Sequence, residues 1–146
     1  MKSAPIKPKL VKLDEVKPHE GVEEQRLSNL TADIKESDCL IRPIAIDQET
    51  KMIIDGHHRV AALKRLECFL VPVYEFNYHD PNITVLPGRQ DLPVDKSMVI
   101  SAALRGAILP SKSTHHLIML NGQSLHISDA EHENPICLKE LRQYSP

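Results

Sequence analysis

Five consecutive residues, Asp55-Gly56-His57-His58-Arg59, carry the densest set of chemically useful groups in the chain. They follow the apolar run Met52-Ile53-Ile54 and precede Val60, Ala61, Ala62, Leu63 and Leu66, an apolar set at helical spacing. That order reads as strand, tight turn, helix. Such a turn leaves backbone N–H groups without partners at a helix N-terminus, where the helix dipole adds partial positive charge, so it suits a phosphate. Gly56 lets a ligand approach the backbone closely. Arg59 can fork onto phosphate oxygens, and Asp55 can hold a hard cation that neutralises them. The same five residues also suit an ordinary helix N-cap with solvated histidines, and nothing inside the pentapeptide decides between the two.

Two further groupings carry chemistry. His19-Glu20 follows Pro18 in a loop before a helix, where a carboxylate can serve as a general base or hold a metal. Lys112-Ser113-Thr114-His115-His116 puts a lysine, two hydroxyls and two imidazoles in one polar stretch, suited to an anion through charge and hydrogen bonds. The histidine pairs His57-His58 and His115-His116 are adjacent in sequence, so their side chains point apart and make poor bidentate ligands. The expected metal is therefore Mg2+ carried with a nucleotide, with Asp55 as its protein ligand, rather than zinc.

The elements that must position these groups follow from periodicity. Lys9 to Leu13 alternates as a half-buried strand does. Leu27, Leu30 and Ile34 recur at helical spacing within 23–37. Pro43 to Asp47 and Lys51 to Ile54 read as a hairpin around Gln48-Glu49-Thr50. A helix after Arg59 runs to about Glu67, and a strand starts at Phe69. The stretch from Asn77 to Pro93 is rich in Pro, Asp, Asn and Gly and reads as a loop. Val99, Ala102, Ala103 and Leu104 define a helix over 95–105, with Gly106 as its C-terminal stop. Residues 109–116 read as a polar loop before the apolar Leu117-Ile118-Met119-Leu120, and the tail reads as mostly loop. Residues 1–8 read as a flexible N-terminus and 9–146 as one domain.

The segment from Ile53 through Asp55-Gly56-His57-His58-Arg59 to Leu63 resembles the ParB/sulfiredoxin superfamily, and within it most closely the ParB-related free L-serine kinases. Those kinases carry D-G-H-H-R before an apolar helix and strand, P-H-E near the start, and P-K-T-T-R-H late in the chain. Pro18-His19-Glu20 and Pro110-Ser111-Lys112-Ser113-Thr114-His115-His116 are similar to the latter two. The resemblance implies an α+β fold, a small mixed sheet with flanking helices. It implies phosphoryl transfer from ATP or ADP, with Mg2+, to the hydroxyl of a free amino acid, L-serine foremost. Glu20 would be the catalytic base, with Asp55 beside the metal. Gly56, His57, His58 and Arg59 would hold the donor phosphates, and Lys112, Ser113, Thr114, His115 and His116 the acceptor side. His115 stands where the family usually has Arg, which replaces a permanent bidentate cation with a titrating one. The family's larger insertion between the two blocks shrinks here to Asn77–Pro93, and the aromatic it contributes has no Trp counterpart. A ParB-like nucleotide-binding regulator without turnover is the alternative. Sulfiredoxin chemistry needs a cysteine at the place of His57. Chromosome-partition ParB proteins need a helix-turn-helix domain that this sequence does not show.

Composition bounds the rest. The 146 residues suit one domain, 41% apolar content suffices for a core, and 26% charged content is ordinary for a soluble surface. A net charge of −2, two Phe, three Tyr and no Trp disfavour a nucleic-acid partner, a ParB-like nuclease included. The three cysteines Cys39, Cys68 and Cys137 form no C-x-x-C pair, so reduced thiols in the cytoplasm are expected. No signal-peptide pattern opens the sequence, and no apolar run nears the ~20 residues that span a bilayer. The choice of ATP or ADP and the oligomeric state stay open at this stage.

Overall fold

The computed structural model describes residues 7–143. Of the stretch expected to be flexible, residues 1–6 lie outside the described residues. A four-stranded mixed sheet organises the rest. Its strands are β1 (Lys9–Lys12), β3 (Ile44–Asp47), β4 (Ile53–Asp55) and β5 (Leu70–Phe76), in the order β1-β5-β3-β4. The pair β3–β5 is parallel and the other two pairs are antiparallel. This is the expected small mixed sheet, and the β3–β4 hairpin is the one the sequence predicts. Asp47 pins its turn: Oδ2 accepts from the Thr50 hydroxyl at 2.8 Å and from the Thr50 N–H at 3.0 Å.

Both faces of the sheet are covered, and strand alternation sorts the residues. Ile44, Ile46 and Ile53 face a cluster with Leu27, Ile34, Leu63, Leu138 and Leu141. These come from α1 (Glu24–Ser37), α2 (His57–Arg65) and the short α4 (Leu138–Leu141). Ala45, Met52 and Ile54 face a second cluster with Tyr78, Ile83, Val99, Ile118 and Ile127. This second side is built by α3 (Lys96–Arg105) and an antiparallel sheet of β6 (Ile83–Pro87), β7 (Thr114–Leu120) and β8 (Gln123–His126). Helix α3 starts at Asp95, whose side chain accepts from Met98 N at 2.8 Å, and stops at Gly106 in the left-handed region, as its spacing predicts. A last pair, β2 (Cys39–Leu40) with β9 (Ile136–Cys137), sets Cys39 opposite Cys137.

Three expectations are corrected here. The 77–93 stretch is not all loop, because Ile83 to Pro87 forms β6, paired with β7 over Ile83↔Ile118 to Pro87↔Thr114. Its turn-forming flanks mask a short alternating run that tertiary pairing makes a strand. The polar stretch 109–116 becomes strand at Thr114, which puts His115 and His116 on opposite faces of β7. The tail holds β8, β9 and α4. Strand β8 joins β7 through Asn121-Gly122, both at positive φ, a two-residue hairpin whose Asn-Gly signal is present in the sequence.

Candidate active site

Helix α2 begins where β4 ends, and Gly56 makes the junction. Its φ is +119°, and a Cβ there would lie 2.4 Å from Ile44 Cγ2, so only glycine fits. No side chain caps the helix, which leaves its first N–H groups turned outward. They border a cavity of about 560 Å3 lined by Asp55, Gly56, His57, His58 and Arg59, together with Arg26, Arg42, His126, Ser128 and Glu131. All five residues of the sequence motif thus share one cavity.

Their side chains do more structural work than the sequence suggests. His57 Nε2 accepts from the His19 backbone N–H at 3.1 Å, and His58 Nε2 accepts from the Glu23 N–H at 3.0 Å. Both rings therefore need an unprotonated Nε2. Burial, above all, lowers the His57 pKa to about 3, and burial followed by Arg26 lowers that of His58. The two histidines bind the 19–23 loop to the start of α2. Arg59 Nη1 donates to the carbonyls of Arg42 and Pro43, while Nη2 donates to Asp55 Oδ2 at 3.1 Å and to Glu131 Oε1 at 2.8 Å. Its fork thus organises the cavity wall.

The loop held by those histidines presents Glu20. Its Oε1 accepts the Thr114 hydroxyl at 2.6 Å, its Oε2 accepts the Lys112 backbone N–H at 3.0 Å, and His19 Nε2 lies 3.5 Å from Oε1. Lys112 takes a left-handed φ of 61°, and Gly88 packs so closely that a Cβ would strike the Lys112 carbonyl. Gly21 N donates to Leu109 O, and Leu109 N to His19 O, which fastens the two loops together. Burial pushes the Glu20 carboxyl up, but donors from His19 and Thr114 outweigh it and hold the pKa at about 2. Glu20 is thus an ionised, oriented carboxylate at neutral pH. It borders a second, smaller cleft of about 200 Å3, and His57 lines both spaces.

The late segment divides. Lys112 Nζ is exposed and pairs with Glu23 at 3.2 Å, and Thr114 binds Glu20. The Ser113 hydroxyl turns inward to Pro110 O, and His116 is buried with Nε2 2.8 Å from the Tyr78 hydroxyl. His115 is exposed, its ring 5.0 Å from that of His126.

Two participants, Tyr78 and Glu131, escaped the sequence reading, and a third, His19, was named only beside Glu20 without a role of its own. His19 is fully buried, with Nδ1 2.8 Å from Ile53 O and Nε2 3.0 Å from Thr114 Oγ1. Tyr78 is fully buried, with its hydroxyl 2.8 Å from His116 Nε2. Glu131 lies 72 residues from its partner Arg59, so no local signal marks it. Its Oε2 is buried without a hydrogen-bond partner, and burial raises its pKa to about 9 against the pull of Arg59, with Asp55 beside it adding to the rise. Among the described residues, no group of three or more His, Cys, Asp or Glu side chains forms a metal cage.

No family model matches the chain. It is similar to the ATP-dependent L-serine kinase of Staphylothermus marinus, 32% identical over 82 residues, which span 53% of this chain and 32% of that protein. It is also similar to the ATP-dependent L-serine kinase SbnI of Staphylococcus aureus, 34% identical over 88 residues, 58% of this chain and 34% of that protein. The chain thus spans about a third of the length of the curated relatives it matches. In fold, it resembles a free serine kinase solved in complex with AMP, with a TM-score of 0.76 and 14% identity over 93% of this chain and 94% of that one.

Proposed function

We propose that this chain is a phosphotransferase that moves a phosphoryl group from ATP or ADP to the hydroxyl of a free amino acid, L-serine giving O-phospho-L-serine. One observation carries the reading. Glu20, the residue matching the family's base, is ionised and clamped by Lys112 N and the Thr114 hydroxyl, so the early and late motifs meet at one carboxylate. The reading also takes the chain as a member of the ParB/sulfiredoxin superfamily, on its Asp55–Arg59 segment, and as one domain over 9–146. The partial matches to L-serine kinases and the shared fold support it.

Donor phosphates would sit on the N–H groups of Gly56, His57 and His58 at the start of α2, with Arg26 and Arg42 of the same cavity as added cations. In this arrangement the His57 and His58 rings and the Arg59 fork hold the wall. Asp55 offers a hard oxygen donor suited to Mg2+, and the buried Glu131 Oε2 beside it has no protein partner. Two carboxylates without a full cage suit a cation that arrives with its nucleotide and keeps waters. The ion would supply charge neutralisation at the phosphates. Lys112 Nζ is the exposed cation for the acceptor's carboxylate or the product's phosphate. Glu20 takes the proton of the acceptor hydroxyl, and the remaining catalysis is positioning and charge.

The separation of Glu20 from the larger cavity by His57 favours the second reading, a nucleotide-binding regulator without turnover. Phosphorus NMR of the protein with ATP or ADP, Mg2+ and a panel of free amino acids decides. A phosphomonoester signal that appears with L-serine is expected. Tight nucleotide binding with no new ester would establish the regulator instead.

A further inference from the structure

Behind Glu20 lies a chain of hydrogen bonds whose donors and acceptors can be counted. Ile53 O accepts from His19 Nδ1 at 2.8 Å, since a carbonyl cannot donate, so Nδ1 carries a proton. His19 Nε2 lies 3.0 Å from Thr114 Oγ1, and Thr114 Oγ1 lies 2.6 Å from Glu20 Oε1. Thr114 has one hydroxyl proton and two neighbours that can accept it. If His19 is neutral and Glu20 ionised, one acceptor is left out. One added proton satisfies every atom, in either of two placements. In the first, Nε2–H donates to Thr114 and Thr114 donates to the Glu20 carboxylate. In the second, Glu20 Oε1–H donates to Thr114 and Thr114 donates to a neutral His19. The two placements differ only by a shift of two protons along fixed oxygen and nitrogen positions.

We propose that His19, Thr114 and Glu20 form a proton relay, in which the proton that Glu20 receives from the acceptor hydroxyl passes through Thr114 to His19 Nε2. The proposal rests on the phosphotransferase reading. The step balances: the acceptor O–H breaks and its oxygen bonds phosphorus as the bond from phosphorus to the nucleotide's bridging oxygen breaks, the shortened nucleotide leaves with that electron pair, Glu20 Oε1 gains the acceptor's proton and gives it to Thr114 Oγ1, and Thr114 gives its own proton to Nε2. Glu20 returns to a carboxylate and His19 becomes an imidazolium 3.5 Å from it. His19 is a positioning residue, because its place is behind the carboxylate.

The imidazoles packed around His19 leave it as the proton's destination. His57 of α2 stands 4.5 Å away, ring to ring, and its Nε2 accepts the His19 backbone N–H, so it stays neutral. His116 of β7 stands 5.6 Å away and faces the Tyr78 hydroxyl. Burial lowers the pKa of both to about 3. Glu20 is the carboxylate that faces His19.

Nitrogen-15 NMR of the histidine rings tests the relay without turnover. In the wild type, the His19 ring signals should report a protonated Nδ1 held by Ile53 O and an Nε2 hydrogen-bonded to Thr114. The Nε2 signal should change in Glu20→Gln, which removes the charge, and in Thr114→Val, which removes the bridge. Thr114→Ser should restore it. A His19 whose Nε2 signal is alike in all four proteins overturns the relay. Kinetics supply the second arm. Thr114→Val should lower kcat about 10–100-fold with nucleotide affinity unchanged, and Thr114→Ser should recover most of it. A Thr114→Val protein with wild-type kcat overturns the relay. A coupled Nε2 response without transfer to any amino acid keeps the hydrogen-bond linkage and overturns the phosphotransferase reading.

Discussion

Two carboxylates, the half-buried Glu20 and the buried Glu131, one beside each of the spaces that His57 lines, are driven in opposite directions. Glu20 is held down to about 2, while Glu131 is pushed up to about 9. Both are withdrawn from water, and burial alone would raise both. The difference lies in their donors. Glu20 receives a hydroxyl and a backbone N–H, with the His19 imidazole 3.5 Å from its Oε1. Glu131 receives one guanidinium nitrogen, shared with Asp55, and its second oxygen receives none. Groups pushed apart in this way are suited to different tasks: an ionised carboxylate to accept a proton, a neutral one to donate a hydrogen bond. Without a bound cation, burial makes Glu131 the more readily protonated of the two.

Removing the basic member should have the largest effect. Glu20→Gln keeps the shape and loses the proton acceptor, so phosphoryl transfer to serine should fall by about 10²–10⁴. Calorimetric affinity for ATP or ADP should change little, because the Glu20 carboxylate bonds to Lys112 and Thr114 rather than to the α2 N-terminus. Wild-type turnover in this variant would show that the down-shifted carboxylate is not the base.

The scaffold between the two carboxylates gives the next effect. At Gly56 a side chain meets both an unfavourable φ and Ile44 Cγ2 at 2.4 Å. Strain of ~1–3 kcal/mol and overpacking of similar size make Gly56→Ala destabilising by about 2–4 kcal/mol in chemical denaturation. A loss under ~1 kcal/mol would mean that the turn can relax, and that glycine there serves ligand approach alone.

What was legible in the sequence follows the distance over which each contact acts. The turn from Ile53 to Arg59, helices α1 and α3 and the β3–β4 hairpin are specified by neighbours within a few residues, through apolar period and glycine placement. Glu20 was marked by its motif. Its partners Lys112 and Thr114 lie 92 and 94 residues away, and the sequence placed them on a substrate instead of on Glu20. His57 and His58 were read as phosphate-binding residues because nothing local shows that the N–H groups of His19 and Glu23 reach their rings. Strand β6 hid because its strand-forming run Ile83-Thr84-Val85 is short and set between turn-forming residues, and pairing with β7 completes it. Glu131 had no signal at all.

The acidic member sharpens the comparison through pH. Glu131 has a raised pKa, so its contribution to stability is full below its unfolded value of 4.5 and is lost as pH rises toward about 9. Glu131→Gln is neutral in both states and escapes that loss. In magnesium-free buffer, denaturation curves of the two proteins should agree near pH 4 and diverge as pH rises. By pH 8 the variant should be the more stable by at least ~1.4 kcal/mol, the size of one pKa unit. Parallel curves from pH 4 to 9 would show that Arg59 keeps Glu131 ionised, and the contrast with Glu20 would vanish. Glu20 carries the opposite sign: its contribution is full above 4.5 and is lost as pH falls toward about 2.

The smallest structural effect belongs to Lys112, which touches Glu20 through its backbone and solvent through its side chain. The backbone N–H that Glu20 accepts survives replacement of the side chain. The side chain's partner is Glu23, in an exposed pair, and such pairs contribute ~0.2–1 kcal/mol. Lys112→Ala should therefore lower stability by less than about 1 kcal/mol and leave the Glu20 clamp in place. If Nζ meets the anionic end of the acceptor, the KM for serine should rise while the KM for nucleotide holds. The increase should shrink with added salt, since an exposed ion pair is screened. A fall in kcat with unchanged serine KM would place Lys112 in the clamp rather than on the substrate, and the line between backbone and side-chain roles at this loop would have to be redrawn.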